Sequence, residues 1–289
     1  MAYKCVVLIK QVPDTSRVTG EAMNPDGTVN RAALPAIFNP EDLNALEMAL
    51  EIKEKFGGTV TVVTMGLPAS SVSLRQALFM GADEAILVTD RRCAASDTLA
   101  TSYILSCAVK QLDYDIVLCG RQAIDGDTAQ VGPQLAEKLD IPQVTYVEEI
   151  IKLEGGKIVT KRNMGNGWQE VACKLPVLLT VTDEANEPRV PAAKRMMKFK
   201  NAKTPVEILS DGGSEDDIKA MEEKGLLIKQ VDLDALNADL QWCGLSGSPT
   251  KVHRVMSVVL TAKESKSIEP TADDVNRMIH ELIEDHTIG

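Results

Sequence analysis

Residues 115–132 read DIVLCGRQAIDGDTAQVG. Asp115–Cys119 has the continuous apolar character of a strand buried on both faces of a parallel sheet. Gly120 and Gly126 allow close backbone approach to a ligand. Asp127 or Thr128 is expected to cap the next helix, whose apolar stripe is Val131, Leu135 and Leu139. Strand, glycine-bearing loop and helix in that order form the unit from which an α/β sheet is built.

The same unit recurs upstream. Tyr3–Ile9, Thr59–Met65 and Ala85–Thr89 repeat the strand character. A helix is expected to open at Asn39 as cap, with Pro40 in its first position and Glu41 and Asp42 in its first turn. Leu43, Leu46 and Leu50 share one of its faces, and Gly57-Gly58 stops it. Leu99, Tyr103, Cys107 and Ala108 mark another helix. Alternating strands and helices imply right-handed crossovers, hence a doubly wound, mostly parallel, Rossmann-like α/β sheet covered on both faces.

Residues 143–182 read instead as four strands: Val144–Ile151, Lys157–Arg162, Gln169–Lys174 and Val177–Val181. They are expected to form an antiparallel extension of the same domain, residues 1–204. Arg189, Lys194, Arg195, Lys198, Lys200 and Lys203 follow with no acid between them. From Pro205 the chain turns acidic, carrying −9 of the total −11. Asp211–Ser214 is linker-like, and only Asp273–Glu284 regains helical spacing, through Val275, Met278, Ile279, Leu282 and Ile283. Residues 205–289 are therefore expected to be an arm packing on a partner subunit.

The 289 residues are 44% hydrophobic and only 3% aromatic. An acidic, aromatic-poor chain disfavours nucleic acid as a partner. No apolar run approaches the roughly 18 residues a membrane span needs, and the first strand lacks the features of a signal peptide. Six cysteines without a CxxC pair, and three histidines (His253, His280, His286), give no metal-ligand spacing and no Ser-His-Asp set. Free thiols fit a reducing cytoplasm.

The GxGxxG fingerprint and the P-loop are both absent. Four loops nevertheless end at the carboxyl edge of the expected sheet, where open parallel sheets take ligands. They are Lys10–Thr15, Met65-Gly66, Asp90-Arg91-Arg92 with Ser96-Asp97-Thr98, and Gly120–Gln130. Together they point to an adenine-nucleotide site. Phosphate falls to backbone amides and Arg121, while Asp125 and Asp127 serve caps or sugar hydroxyls.

The residues resemble a family, the beta subunit of electron-transfer flavoproteins. The likeness rests on Ile9–Thr15 (IKQVPDT), Asn39-Pro40, Ala77-Leu78 with Met80–Ala85 (MGADEA), Gly120–Gly132 and Asn186–Arg189 (NEPR). It covers residues 3–204 and, more weakly, Gly247–Val252 (GSPTKV).

The resemblance implies a heterodimer whose alpha subunit holds one FAD. Its beta subunit binds AMP structurally or a second FAD, and the FAD group bifurcates electrons from NADH. This chain resembles the FAD group through Val12–Thr15, Asp90 with Ser96–Thr101, and Gly126–Gly132. Two helix N-termini converging on the edge would suit a diphosphate. By resemblance, Leu8, Lys10, Asn39, Met65, Gly66 and the run Gly120, Arg121, Gln122, Ala123, Asp125, Gly126, Asp127, Thr128, Ala129, Gln130 and Val131 line the adenine, ribose and first phosphate. Asp14, Asp90, Asp97, Thr98 and Thr101 line the extended cofactor.

Residues 189–203 correspond to a loop that docks on an acyl-CoA dehydrogenase or a quinone-reducing flavoprotein. Ala193 stands where the family often has a leucine, with Met196 and Met197 beside it. The resemblance also implies a low-potential ferredoxin or flavodoxin as the second acceptor. The chain would oxidise NADH only as part of a complex, with no side chain acting as acid or nucleophile and no metal. Two alternatives stay open: a non-bifurcating carrier that binds AMP, and a non-redox adenine-nucleotide module.

Overall fold

The computed structural model describes residues 2–14, 34–251, 265–285 and 287–288. Thr15, Val252, His253 and His286, named above, lie outside them. In chain order the elements are β1 (Tyr3–Leu8), β2 (Gln11–Pro13), β3 (Ala36–Phe38), α1 (Pro40–Phe56), β4 (Gly58–Met65), α2 (Ser71–Met80) and β5 (Glu84–Val88). Then come α3 (Thr98–Val109), β6 (Ile116–Gly120), α4 (Val131–Leu139), β7 (Gln143–Glu154), β8 (Lys157–Asn163), β9 (Trp168–Lys174) and β10 (Val177–Val181). The last are α5 (Ala193–Phe199), α6 (Pro205–Ser210), α7 (Glu215–Glu223), β11 (Lys229–Val231) and α8 (Ala272–Glu284).

Nine strands form one sheet in the order β11-β5-β4-β1-β6-β10-β7-β8-β9. Every pairing from β11 through β7 is parallel, and only β7·β8 and β8·β9 are antiparallel. The α/β reading holds, with one correction. The strands of residues 143–182 are not all antiparallel: β10 enters the sheet between β6 and β7, parallel to both. Its five residues are all buried, as burial on two faces requires.

Successive β1 residues serve opposite layers. Val7 packs with Leu46, Leu50, Leu74 and Leu118 under α1 and α2. Val6 and Leu8 pack with Ile104, Leu135 and Leu178 under α3 and α4. This is the period of two expected of a doubly covered sheet. From β1 the chain steps outward to β4 and β5, then returns to place β6 on β1's other side. The strand order therefore reverses between β1 and β6, and the crevice outside their carboxyl ends is the topological switch point.

Ordered structure continues past residue 204. β11 pairs with β5 as an edge strand. Ile208, Ile228, Leu233, Leu236 and Cys243 are buried. Further on, α8 buries none of its residues. Among the described residues, no helix is long and apolar enough to cross a membrane.

Candidate functional site

The carboxyl ends of β1 and β6 are joined by the first turn of α1. Asp42 accepts the Lys10 N–H on Oδ2 at 2.8 Å and the Gly120 N–H on Oδ1 at 2.9 Å. Glu41 accepts Arg121 Nη2 at 2.6 Å and the Gln122 N–H at 2.8 Å. Asn39 sits at the start of α1, but its side chain makes no cap bond there. It reaches the loop instead, donating from Nδ2 to the Gln122 carbonyl at 2.9 Å and accepting the Ile124 N–H at 3.1 Å. Lys10 Nζ pairs with both oxygens of Asp125, at 2.7 and 2.8 Å.

Glu41 and Asp42 are only 5% and 6% exposed. Burial pushes the Asp42 carboxyl up to about 7, against the two amides and Asn39 that hold its charge, and the neighbouring Glu41 charge adds to the rise. Burial beside these acids also raises the Cys119 thiol, which keeps it unreactive. Gly120 is required by contact: a Cβ there would lie 2.6 Å from Asp42 Oδ1 and 2.8 Å from the Glu41 backbone.

The second half of the loop is tied differently. The Gly126 and Asp127 amides donate to the Ala123 carbonyl at 3.2 and 2.9 Å. Gln122 Nε2 donates to Asp127 Oδ1 at 3.1 Å. Asp127 (φ 48°) and Ala129 (φ 51°) are left-handed. The helix start is therefore Gln130, not Asp127 or Thr128, and no side chain caps it. Among the described residues, no protein group accepts from the amides of Thr128, Ala129 or Gln130. An uncapped helix N-terminus with free amides beside it suits an anion. Val131 opens α4, and nothing lies within 4 Å of a Cβ built on Gly126.

Arg121 does not stand free for a phosphate. Glu41 holds it, and its guanidinium lies 5.6 Å from the Tyr146 ring centroid. Among the described residues, its buried Nε has no partner.

The remaining predicted residues divide. Leu8 is buried in the α3–α4 layer. Met65 ends β4 and Gly66 follows it, where the Gly66 N–H donates to the Val88 carbonyl at 3.0 Å. Asp14 is buried, its N–H donating to Pro35 at 2.8 Å. Asp90 binds Arg92, whose side chain holds the carboxyl down to about 2, and accepts the Leu233 N–H. Thr98 donates to Gln130 Oε1 at 2.8 Å, which joins the starts of α3 and α4. Thr101 lies one turn further along α3.

Asp97 caps α3, accepting the Leu99 and Ala100 amides at 3.0 Å. Its other oxygen takes the Thr250 N–H and hydroxyl at 3.0 and 2.7 Å. Burial works against its charge, yet these donors keep its carboxyl below the usual range. The start of α3 is thus closed by a carboxylate, and of these two helices only α4 has an open start. The residues fit one phosphate at α4, and a second at α3 would have to compete with Asp97.

Of the basic stretch, Arg189 pairs with Glu47 and Glu54. Arg195 donates to the carbonyls of Leu78 and Ala82, and Lys203 pairs with Asp211. Lys194, Lys198 and Lys200 remain around exposed Met196 and Met197.

Sequence reasoning missed the roles of Glu41, Asp42 and Tyr146. The available signal was two adjacent acids at a helix start that directly follows a sheet edge.

Comparison with known proteins gives the family. The family model described as "Electron transfer flavoprotein domain" matches residues 26–210. The electron transfer flavoprotein subunit beta of Thermoanaerobacterium thermosaccharolyticum is 47% identical over 86% of this chain and 85% of its own. That of Clostridium acetobutylicum is 40% identical over 98% and 99%. The caffeyl-CoA reductase-Etf complex subunit CarD of Acetobacterium woodii is 40% identical over 99% and 100%. The chain belongs to the electron transfer flavoprotein family, among its beta-type electron-transfer subunits.

Proposed function

We propose that this chain is the beta subunit of a cytoplasmic heterodimer that lodges FAD at the β1/β6 crevice. It takes electrons from NADH and passes them to the alpha-subunit flavin and on to an acyl-CoA dehydrogenase-type partner. A low-potential ferredoxin or flavodoxin is the second acceptor. The observation that carries the reading is the open start of α4, with the free amides of Thr128–Gln130 beside it. A subunit named for a caffeyl-CoA reductase–Etf complex, 40% identical along almost the whole chain, supports a role beside an acyl-CoA-acting partner.

In this reading the amides of residues 128–130 hold a phosphate. Lys10, through Asp125, offsets the acids that would otherwise repel it. The FAD supplies the redox chemistry when bound. The chain's own groups bind and orient it. Residues 189–203 offer the partner three lysines around two methionines.

A second reading, AMP as a structural ligand, is favoured by one observation: Asp97 closes the start of α3, which leaves one open phosphate position. Co-expression with the alpha subunit, release of bound nucleotides and their quantitation separate the two. Two flavins per heterodimer and bleaching of both by NADH support FAD. One flavin with AMP supports the second reading. A preparation carrying no flavin and no adenine nucleotide overturns both.

A further inference from the structure

The loop after β6 takes most of its side-chain hydrogen bonds from the start of α1. Its first half, residues 120–124, bonds to three polar side chains at the start of α1, Asn39, Glu41 and Asp42, and its second half carries the open amides. Resting on the reading that this loop receives a nucleotide phosphate, we propose that Glu41 and Asp42 are positioning residues. Their carboxylates seat residues 120–122 and so fix where the amides of 128–130 stand above the ends of β1 and β6.

Four observations carry this. First, both acids are buried, although stabilising a helix N-terminus asks only for a solvated charge. Second, every carboxylate oxygen has its own donor. Asp42 takes one amide from each of the two strands that flank the crevice, and Glu41 takes one amide and one guanidinium. A carboxylate, which Asp42 becomes above about pH 7, is the side chain that can accept on both oxygens at once. Third, Gly120 presses against this pair so closely that a methyl group would displace Asp42. Fourth, Arg121 is itself a brace. It lies between Glu41 and the ring of Tyr146, whose own backbone is left-handed (φ 58°) and whose N–H is taken by Thr180 Oγ1 at 3.1 Å. The loop's single arginine is thereby committed to the loop's shape.

The chemistry of the fork makes a sharp test. Glu41→Gln keeps size but turns one acceptor into a donor, which must face either the Gln122 amide or the Arg121 guanidinium. Asp42→Asn does the same to Lys10 or Gly120. Removing the facing donor in Glu41→Gln/Arg121→Met lets the glutamine oxygen keep Gln122, so the double variant should recover. If Arg121 instead held phosphate directly, the double variant would bind worse than either single one.

The heterodimer, stripped of nucleotide, is titrated with AMP and with adenosine. Misplaced amides weaken AMP and leave adenosine alone, whereas general unfolding weakens both. Glu41→Gln should raise the AMP Kd about tenfold, the scale of a lost charge-assisted hydrogen bond. The adenosine Kd should stay within about twofold. Asp42→Asn should move the same way, and the double variant should return most of the loss. An unchanged AMP-to-adenosine ratio in Glu41→Gln, parallel loss of both ligands, or no recovery in the double variant overturns the positioning role while the site stands. A wild-type heterodimer that fails to prefer AMP over adenosine overturns the phosphate site itself, and the positioning role with it.

Discussion

Raising the pH from about 5 to about 7 should loosen this fold, through Asp42. Its carboxyl is pushed up to about 7 in the folded chain by burial, from an ordinary 3.8. Between those values the folded chain keeps a proton that the unfolded chain has already released. Stability is therefore highest below the lower value, falls as pH rises towards 7, and is level above it. Each unit contributes about 1.4 kcal/mol, so the whole shift is worth on the order of 4 kcal/mol, and the stretch from pH 5 to 7, which ends at half-titration, roughly 2. For a chain of this size that is a drop of about 3–4 °C in the unfolding midpoint.

Carboxyls held below their ordinary range, Asp90, Asp97 and Glu207 among them, are charged in both states across this window and add no slope. Glu51, raised by burial, adds a little of the same sign. The three histidines are common to wild type and variant. Thermal unfolding followed by circular dichroism at half-unit steps, on wild type and Asp42→Asn, isolates the effect. The wild-type midpoint should fall with pH while the variant's stays nearly level. A wild-type midpoint that is flat or rises from pH 5 to 7, or an equal slope in Asp42→Asn, would refute the reasoning.

Three further outcomes are expected. Gly132→Ala puts a Cβ 2.9 Å from both Cys119 Sγ and Thr180 Cγ2; overpacking of about 1–3 kcal/mol, less about 1 for better helix propensity, should leave a net loss in a urea titration, and a gain would contradict the close seat of α4. Arg189→Ala strands the Glu47 carboxylate, whose side chain is only 7% exposed. It should cost about 3 kcal/mol, whereas Glu54→Ala at the exposed end of the same arginine should cost under about 1 kcal/mol, both read from urea midpoints. Gly126→Val meets nothing within 4 Å, so its unfolding midpoint should match wild type while the adenine nucleotide that copurifies falls; retained nucleotide would remove this loop from the site.

Most of the sheet was legible because its strands declare themselves. Five- to eight-residue apolar runs such as Val60–Met65 leave no other economical placement, and the helix stripes between them set the crossovers. Orientation within residues 143–182 was less accessible, since the turn glycines suggest hairpins throughout. The clue was Val177–Val181, which lacks the alternation of a strand with one wet face. β11 was hidden by its length of three residues. The capping error at Asp127 has a local cause: aspartate tolerates the left-handed backbone that this loop uses at φ 48°, so a residue that looks like a cap is a bend. The roles of Glu41 and Asp42 were opaque for a different reason. Their partners lie up to about eighty positions away, and acids at a helix start look alike whether solvated or buried.

Helix α1 also works as a ruler. Its first turn grips the crevice at Asn39, Glu41 and Asp42, and its middle and far turns grip the opposite side through Asn44 to Asn186 and through Glu47 and Glu54 to Arg189. From Asp42 to Glu54 a helix rises about 18 Å. The separation between the β1/β6 crevice and the root of the basic stretch is thus graduated in rigid helical turns, and whatever is seated at one end is registered against the other without any moving part.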